Sequence, residues 1–174
     1  DHPSVIQYKQ SKLKKIFTKL PTHVCHVPID FNTQNLPEEM EKAGYNKEEK
    51  TLFIWEGVTQ YITKEANEST FSYIAESAPG SQVLFTYIRK GFLDGTFIPQ
   101  DQKKIKSMVC KKKNPIWIHG YEKSGLADYL STYSMQLHED KGSTELTEGY
   151  IKPAHLDLPV FDIERIAYGE VIKK

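Results

Sequence analysis

Apolar positions change their spacing along the chain, and the change predicts alternating helices and strands. Over residues 3–20 they recur at near-helical intervals with lysines between them, which predicts an amphipathic helix with a basic outer face. Short, nearly continuous apolar runs over residues 23–29, 51–55 and 82–88 predict strands. The first half of the chain therefore alternates between helical and extended segments.

Polar residues mark where the intervening helices begin. Asn35 precedes Leu36, and Thr63 precedes another stretch with apolar residues at helical spacing. Both residue types accept hydrogen bonds from the free N–H groups of a first helical turn. Asn35 and Thr63 are therefore predicted to cap helices on either side of the strand at 51–55.

The second half is predicted to contain shorter elements. Residues 89–100 carry glycines and a proline, which predicts a loop near an active site. Helices are expected over 101–113 and 122–130, a helix or turn over 142–150, and strands over 134–138 and 163–171.

This order of elements predicts an α/β fold. Strands that are separated by helices pair in parallel in a doubly wound sheet. The closing strands follow one another without a long crossover, so an antiparallel edge is expected there. We expect a single domain over residues 1–174.

Composition excludes several classes of function. The 174 residues carry 23 Lys and Arg against 23 Asp and Glu, a formal net charge of zero, which argues against a broadly basic nucleic-acid binder. The lysine-rich runs lack the interleaved aromatics of a single-strand binder, so solvated helix faces explain them better. No apolar run approaches the ~18 residues that span a bilayer.

Cysteine and histidine spacing gives no sign of a metal centre. Cys25 and Cys110 are far apart, and the six histidines form no ligand pair at helical spacing. Two reduced thiols fit a reducing compartment. The prediction is a cytoplasmic protein without a dedicated metal site.

Three acidic residues stand where predicted strands end or helices begin: Asp1, Asp30 and Glu56. A carboxylate at such a position can accept both hydroxyls of a ribose, and Asp30 next to Phe31 suits the amino group and face of an adenine. Alternatively, each acid only favours a helix N-terminus. Spacing alone therefore predicts no more than a nucleotide-like ligand.

Longer motifs narrow this interpretation. The segment 53–62, FIWEGVTQYI, is similar to the Glu-Gly-x-x-x-Tyr-Leu motif after the fourth strand of the leucine carboxyl methyltransferase family. The segment 78–87 resembles the Pro-Gly-Ser turn into that family's fifth strand. Weaker resemblances cover the Asp-His-Pro step at 1–3, the third-strand motif at 27–31 and the last strand at 164–169.

The resemblance implies a Rossmann-like class I methyltransferase fold and S-adenosyl-L-methionine as the cofactor. Asp1 would accept the ribose hydroxyls, and Asp30 and Phe31 would lie at the adenine. Glu56, with Gly57, would lie on the methionine side, where a carboxylate favours the sulfonium and ammonium charges.

The resemblance also implies a methyl acceptor and a catalytic residue. Tyr61 would face the acceptor pocket, and the acceptor would be a carboxylate or hydroxyl group of a small molecule or protein. A carboxylate is already ionised at neutral pH, whereas a hydroxyl needs a base that the sequence does not identify.

One departure from the family is large. The Gly-x-Gly-x-Asp first-strand motif of that family does not occur in these residues. We therefore expect an incomplete fold, with strands three to seven and an antiparallel last strand, and impaired activity. The alternative is a non-catalytic Rossmann-like fragment that folds by association with another chain, such as a homo-oligomer that completes the sheet.

Overall fold

The structure is a computed structural model that describes residues 1–17, 19–31 and 33–172. Its backbone contacts group the chain into two compact units, Asp1–Asn46 and Lys47–Lys174. The expectation of a single domain stays a prediction. No helix among the described residues is both long enough and apolar enough to cross a membrane.

The first unit is helical. Helix α1 (Pro3–Ile16) starts at a proline, whose fixed φ suits a first helical turn. Helix α2 (Leu36–Lys42) follows Asn35, whose side chain accepts a hydrogen bond from the Glu38 amide at 3.2 Å. The predicted cap at Asn35 is therefore confirmed.

The strand predicted at residues 23–29 does not form. A strand needs a neighbour that takes up its N–H and C=O groups. Here the Val24 amide bonds within a turn to Pro21, and the Ile29 amide donates to the Asp1 carbonyl at 2.8 Å. The prediction of a strand at residues 23–29 is therefore wrong, because among the described residues no ladder pairs with this run.

The second unit contains the sheet and the remaining helices. Its strands are β1 (Leu52–Trp55), β2 (Gln82–Ile88), β3 (Met135–Lys141) and β4 (Glu164–Val171). Its helices are α3 (Lys64–Ala75), α4 (Lys90–Asp94), α5 (Lys103–Val109), α6 (Leu126–Ser131) and α7 (Ser143–Leu146). Single turns of tighter or wider helix lie at Gln100–Gln102, Lys123–Gly125 and Thr147–Ile151.

The strand order is β1-β2-β4-β3. Strands β1 and β2 are parallel, whereas β4 is antiparallel to both of its neighbours. The last strand thus lies inside the sheet, between β2 and β3, and not at its edge. These four strands correspond to predicted strands four to seven, and the antiparallel direction of the last strand is confirmed.

One face of the sheet packs against α3 and α6. Phe71 of α3 is fully buried, with its ring centroid 5.2 Å from those of both Trp55 and Phe85. Leu130 of α6 is also fully buried. On the opposite face Leu52 and Ile54 are 56% and 66% exposed. The core of the unit therefore lies on one side of the sheet.

Two predicted segments differ from the structure. Residues 89–100 are not wholly a loop, because α4 buries Phe92 completely against Ile88 and Ile163. The basic helix predicted over 101–113 is shorter, since α5 ends at Val109. The lysines at 111–113 therefore lie beyond the helix.

Asn67 holds the loop that joins β1 to α3. Its side chain is fully buried, and Nδ2 lies 3.0 Å from the carbonyls of Thr59 and Thr63 and 3.4 Å from that of Ile62. Thr63 caps α3 as predicted, accepting a hydrogen bond from the Ala66 amide. The amide thus ties the end of the Glu56–Ile62 motif to the first turn of α3.

A buried ion pair joins β3 to β4. Arg165 Nε donates to Asp140 Oδ1 at 2.7 Å, and both side chains are 8% exposed. The Tyr87 hydroxyl donates to the other oxygen of Asp140 at 2.8 Å. Burial raises the pKa of Tyr87, and the bond to Asp140 raises it further. Tyr87 therefore stays protonated and keeps donating this hydrogen bond.

Replacing Asn67 by leucine, which has a similar shape, should lower the free energy of unfolding by about 2 kcal/mol, because buried carbonyls lose their donor. Urea denaturation followed by circular dichroism measures the change. The exposed neighbour Ser69→Ala should stay within about 0.5 kcal/mol of the original chain. Equal stability of the two variants would contradict the role assigned to the amide.

Asp140→Asn should lower the free energy of unfolding by about 3 kcal/mol, since it removes the nearer counterion of the buried Arg165 and leaves the partly exposed Glu145 carboxylate, 3.7 Å from Nη2, as the remaining one among the described residues. Adding Arg165→Met to the same chain should recover part of the loss. The control is Asp157→Asn in an exposed segment. A double variant less stable than Asp140→Asn alone would count against the pair as the cause.

Candidate functional site

A cavity of about 240 Å³ opens at the carboxyl ends of β1 and β2. Glu56 follows the last residue of β1, Thr86 lies near the end of β2, and Glu164 is the first residue of β4. These ends meet because Ile88 pairs with Glu164 and Thr86 with Ile166 across the sheet. The remaining wall consists of Leu146, Pro159, Val160, Phe161 and Ile166.

Hydrogen bonds fix the polar wall of this cavity. The Gly57 amide donates to Thr86 Oγ1 at 2.9 Å, and Gly57 adopts a φ of +66° with open space where a Cβ would stand. That conformation is strained for other residues. The Glu-Gly pair therefore turns the chain sharply after β1 and leaves the Glu56 side chain exposed beside the cavity.

The charge of Glu56 acts on the Glu164 carboxyl. Burial raises the pKa of Glu164, and the nearby charge of Glu56 raises it further, although a hydrogen bond with Thr86 opposes the shift. Among the described residues, no lysine, arginine or histidine forms an ion pair with Glu56 or Glu164. The cavity thus has a negative, uncompensated wall beside an apolar one.

A second cavity, of about 480 Å³, lies where α3 and α4 begin. Lys64, Lys90, Asp94 and His119 contribute its charged and polar lining. Lys64 forms an ion pair with Glu68 at 2.9 Å, and burial lowers the pKa of His119, which favours a neutral ring at pH 7. This cavity is therefore more mixed in charge than the first.

The predicted cofactor residues divide between the two units. In the first unit, the Asp1 carbonyl accepts from the Ile29 amide at 2.8 Å, so Asp1 lies beside the segment that leads to Asp30 and Phe31. The backbone of Asp30 begins a turn, in which its carbonyl accepts from the Gln34 amide at 2.9 Å. In the second unit, only Glu56 among these residues lines the cavity.

Tyr61, the predicted acceptor-pocket residue, does not line this cavity. Its side chain is 45% exposed, and its ring packs edge-on against Trp117 with centroids 6.5 Å apart. The Tyr61 amide donates to the Val58 carbonyl at 2.9 Å. The role of Tyr61 in acceptor binding stays a prediction.

Sequence reasoning missed Thr86 and Glu164. Thr86 is the one residue with an aliphatic hydroxyl in the segment 82–88, and a polar residue there was a usable signal. Glu164 carried no such signal, because only the pairing of β4 with β2 brings it beside Glu56.

Comparisons with known proteins agree with the motifs. Residues 1–75 match the model of the family described as leucine carboxyl methyltransferase. A Bacillus subtilis protein named "Putative S-adenosyl-L-methionine-dependent methyltransferase YktD" is 36% identical over 88 residues, half of this chain and 29% of the relative. A similarly named Mycobacterium ulcerans protein is 22% identical over 88% of this chain and 51% of its own length.

A solved structure supports the fold. An S-adenosylmethionine-dependent methyltransferase from Mesorhizobium loti superposes with a TM-score of 0.53, over 93% of this chain and 76% of its own. At 11% identity this likeness shows a Rossmann-like fold and nothing finer. The chain spans 29% of the length of the Bacillus subtilis relative and 51% of that of the Mycobacterium ulcerans relative. The matched segment and the relatives together support a likeness of residues 1–75 to the leucine carboxyl methyltransferase family.

Proposed function

We propose that the chain is part of an S-adenosyl-L-methionine-dependent O-methyltransferase that acts on a carboxyl or hydroxyl oxygen. The match of residues 1–75 to the family supports this proposal, as do relatives named for the same cofactor. The chain spans only part of the length of those relatives. The methyltransferase activity is therefore proposed for the whole protein of which the chain is a part.

The observation that carries the proposal is the position of Glu56. Its carboxylate stands at the carboxyl end of β1, beside a cavity and without an ion-pair partner among the described residues. In sheets of this kind, ligands bind beyond the carboxyl ends of the strands. An uncompensated carboxylate there fits a ligand that carries a sulfonium and an ammonium group.

Roles for the other residues follow the sequence prediction. Within the first unit, Asp1 would accept the ribose hydroxyls, and Asp30 and Phe31 would contact the adenine. Gly57 would permit close approach of a ligand, since nothing lies within 4 Å of where its Cβ would stand. Each assignment is a proposal that substitution can test separately.

Catalysis in this proposal depends mainly on position. When bound, the cofactor supplies an activated methyl group on its sulfonium. The chain's own contribution is to hold the acceptor oxygen in line with that methyl group and to keep competing water away. Glu56 would orient the positive end of the ligand, and Thr86 would fix the turn that carries Glu56 through the Gly57 amide.

A second candidate function is a non-catalytic chain that folds by association with another chain. The observation that favours it is the sheet face on which Leu52 and Ile54 are 56% and 66% exposed. Apolar residues at such exposure on neighbouring positions of one face are typical of surfaces that other polypeptides cover.

The cytoplasmic location expected from the two cysteines stays a prediction.

Isothermal titration calorimetry with S-adenosyl-L-methionine tests the main proposal. We expect the 174-residue chain to bind, and Glu56→Gln to weaken binding about tenfold through the loss of one charge contact. Glu122→Gln, an exposed acid away from the cavity, is the matched control. Absence of binding by a chain whose circular dichroism shows it folded would refute the proposal for this chain.

Size-exclusion chromatography with light scattering separates the second candidate from the first. If the chain folds by association, its mass should exceed 20.0 kDa, and Ile54→Glu should shift it towards the monomer because a charge disfavours burial. A folded monomer at micromolar concentration would eliminate this candidate.

A further inference from the structure

Positive charge is concentrated in one part of the second unit, although the whole chain is neutral. Residues 102–121 contain six lysines and no aspartate or glutamate. Lys106 is engaged within the fold, since its Nζ donates a hydrogen bond to the Phe92 carbonyl at 2.7 Å. The side chains of the other five are exposed: Lys103, Lys104, Lys111, Lys112 and Lys113. This stretch therefore presents a local surplus of positive charge to solvent.

The three consecutive lysines at 111–113 lie in a short loop over residues 110–115, which we call the lysine loop. Its ends are tied together, because the Val109 carbonyl accepts from the Ile116 amide at 2.7 Å and from the Trp117 amide at 3.1 Å. Val109 and Trp117 also pack against a buried hydrophobic cluster. The lysines are thus displayed by an anchored loop, and not on the solvated helix face that the sequence predicted.

Aliphatic side chains stand on both sides of the lysine loop. Met108 precedes it and is 56% exposed, and Ile116 follows it and is 47% exposed. The hydrogen bond from the Ile116 amide to the Val109 carbonyl holds these two backbone segments next to each other. Methionine adapts its shape to different apolar partners at binding surfaces. The loop therefore offers apolar contact area beside its charges.

We propose that the lysine loop, together with Met108 and Ile116, docks an acidic polypeptide segment that also carries apolar side chains. The partner is identified by its chemistry: carboxylates that face the lysines and aliphatic groups that cover Met108 and Ile116. This interaction surface is additional to the proposed methyl transfer and does not depend on it.

Charge complementarity is the first argument. Three consecutive residues span at most about 8 Å of backbone, which is no more than the Debye length of about 8 Å at physiological ionic strength. The charges at 111–113 therefore act together on an approaching ligand. A single exposed pair of a lysine and a carboxylate contributes little, but an acidic segment meets several lysines at once and is also steered towards them.

The anchoring of the loop is the second argument. Binding costs free energy when a mobile segment has to become ordered. The bonds to the Val109 carbonyl and the packing of Val109 and Trp117 hold the base of the lysine loop in place before any partner arrives. The loop thus loses less conformational freedom on binding than a free charged tail would.

The composition of the surface favours a polypeptide over a nucleic acid or a membrane. Residues 102–121 contain no arginine, the side chain that binds phosphate with two parallel hydrogen bonds. Residues 108–116 contain no aromatic ring, so they offer neither a stacking platform for bases nor an aromatic anchor for the membrane interface. Carboxylates and aliphatic groups on one segment match what the surface does present.

Fluorescence anisotropy on the full chain tests the inference, with a fluorescein-labelled peptide of Glu-Glu-Leu repeats as the probe. We expect this peptide to bind, and added sodium chloride to weaken binding because it shortens the Debye length. A peptide of Glu-Glu-Ser repeats keeps the charge and lacks the apolar groups, so it should bind several-fold more weakly. Failure of the Glu-Glu-Leu peptide to bind would overturn the inference, and so would equal binding of the two peptides.

Substitution of the loop identifies the surface. The triple variant K111Q/K112Q/K113Q should bind the Glu-Glu-Leu peptide at least about tenfold more weakly, the equivalent of about 1.4 kcal/mol. Met108→Ser should weaken the Glu-Glu-Leu peptide and leave the Glu-Glu-Ser peptide unchanged. Circular dichroism establishes that each variant is folded. Unchanged binding by the triple variant would remove the lysine loop from the proposal.

A matched control separates this surface from general attraction to lysines. K12Q/K14Q/K15Q removes the same number of charges from exposed positions of α1 and should leave peptide binding unchanged. Equal losses in the two triple variants would overturn the inference. Oligothymidine or phosphatidylserine vesicles serve as competitors, and tighter binding of either one through the lysines at 111–113 would assign the surface to that partner and overturn the choice of a polypeptide.

Discussion

The pairing of β4 with β2 is the constraint on which the candidate site depends. All seven residues of β2 have antiparallel partners in β4, from Gln82 with Glu170 to Ile88 with Glu164. In such pairs the side chains directly opposite each other lie on the same face. Any slip by one residue would move Glu164 to the face of the sheet that packs against α3 and α6. The register therefore decides whether the cavity has one carboxylate or two.

Side chains on the buried face keep that register. Val83, Phe85 and Tyr87 of β2 are all fully buried. On the same face, Arg165 of β4 donates a hydrogen bond to Asp140 of β3. A shifted strand would separate Arg165 from Asp140 and bury their charges without partners. The register of β4 against β2 therefore determines both the stability of the core on one face of the sheet and the lining of the cavity on the other face.

The sequence was most informative where the signal is local. The caps at Asn35 and Thr63 depend on residues three positions away, and the bounds of β2 follow from a nearly continuous apolar run. The Glu56-Gly57 turn was also recognisable, because its motif is contiguous. The long-range pairing of strands was not recognisable, because nothing near Glu164 in the sequence indicates that it lies beside Glu56. The strand predicted at residues 23–29 was wrong for a related reason. An apolar run predicts an extended segment, but it does not predict the neighbouring strand with which that segment must pair.

The buried amide of Asn67 has a consequence outside the chemistry of methyl transfer. Asn67-Glu68-Ser69 is an acceptor sequence for N-linked glycosylation, yet in the folded chain that nitrogen is enclosed and occupied by backbone carbonyls. A glycan could attach only before α3 docks on the sheet. If the chain were produced through a secretory route, sugar on Asn67 would mark molecules that were modified before they folded and that can no longer close this part of the core.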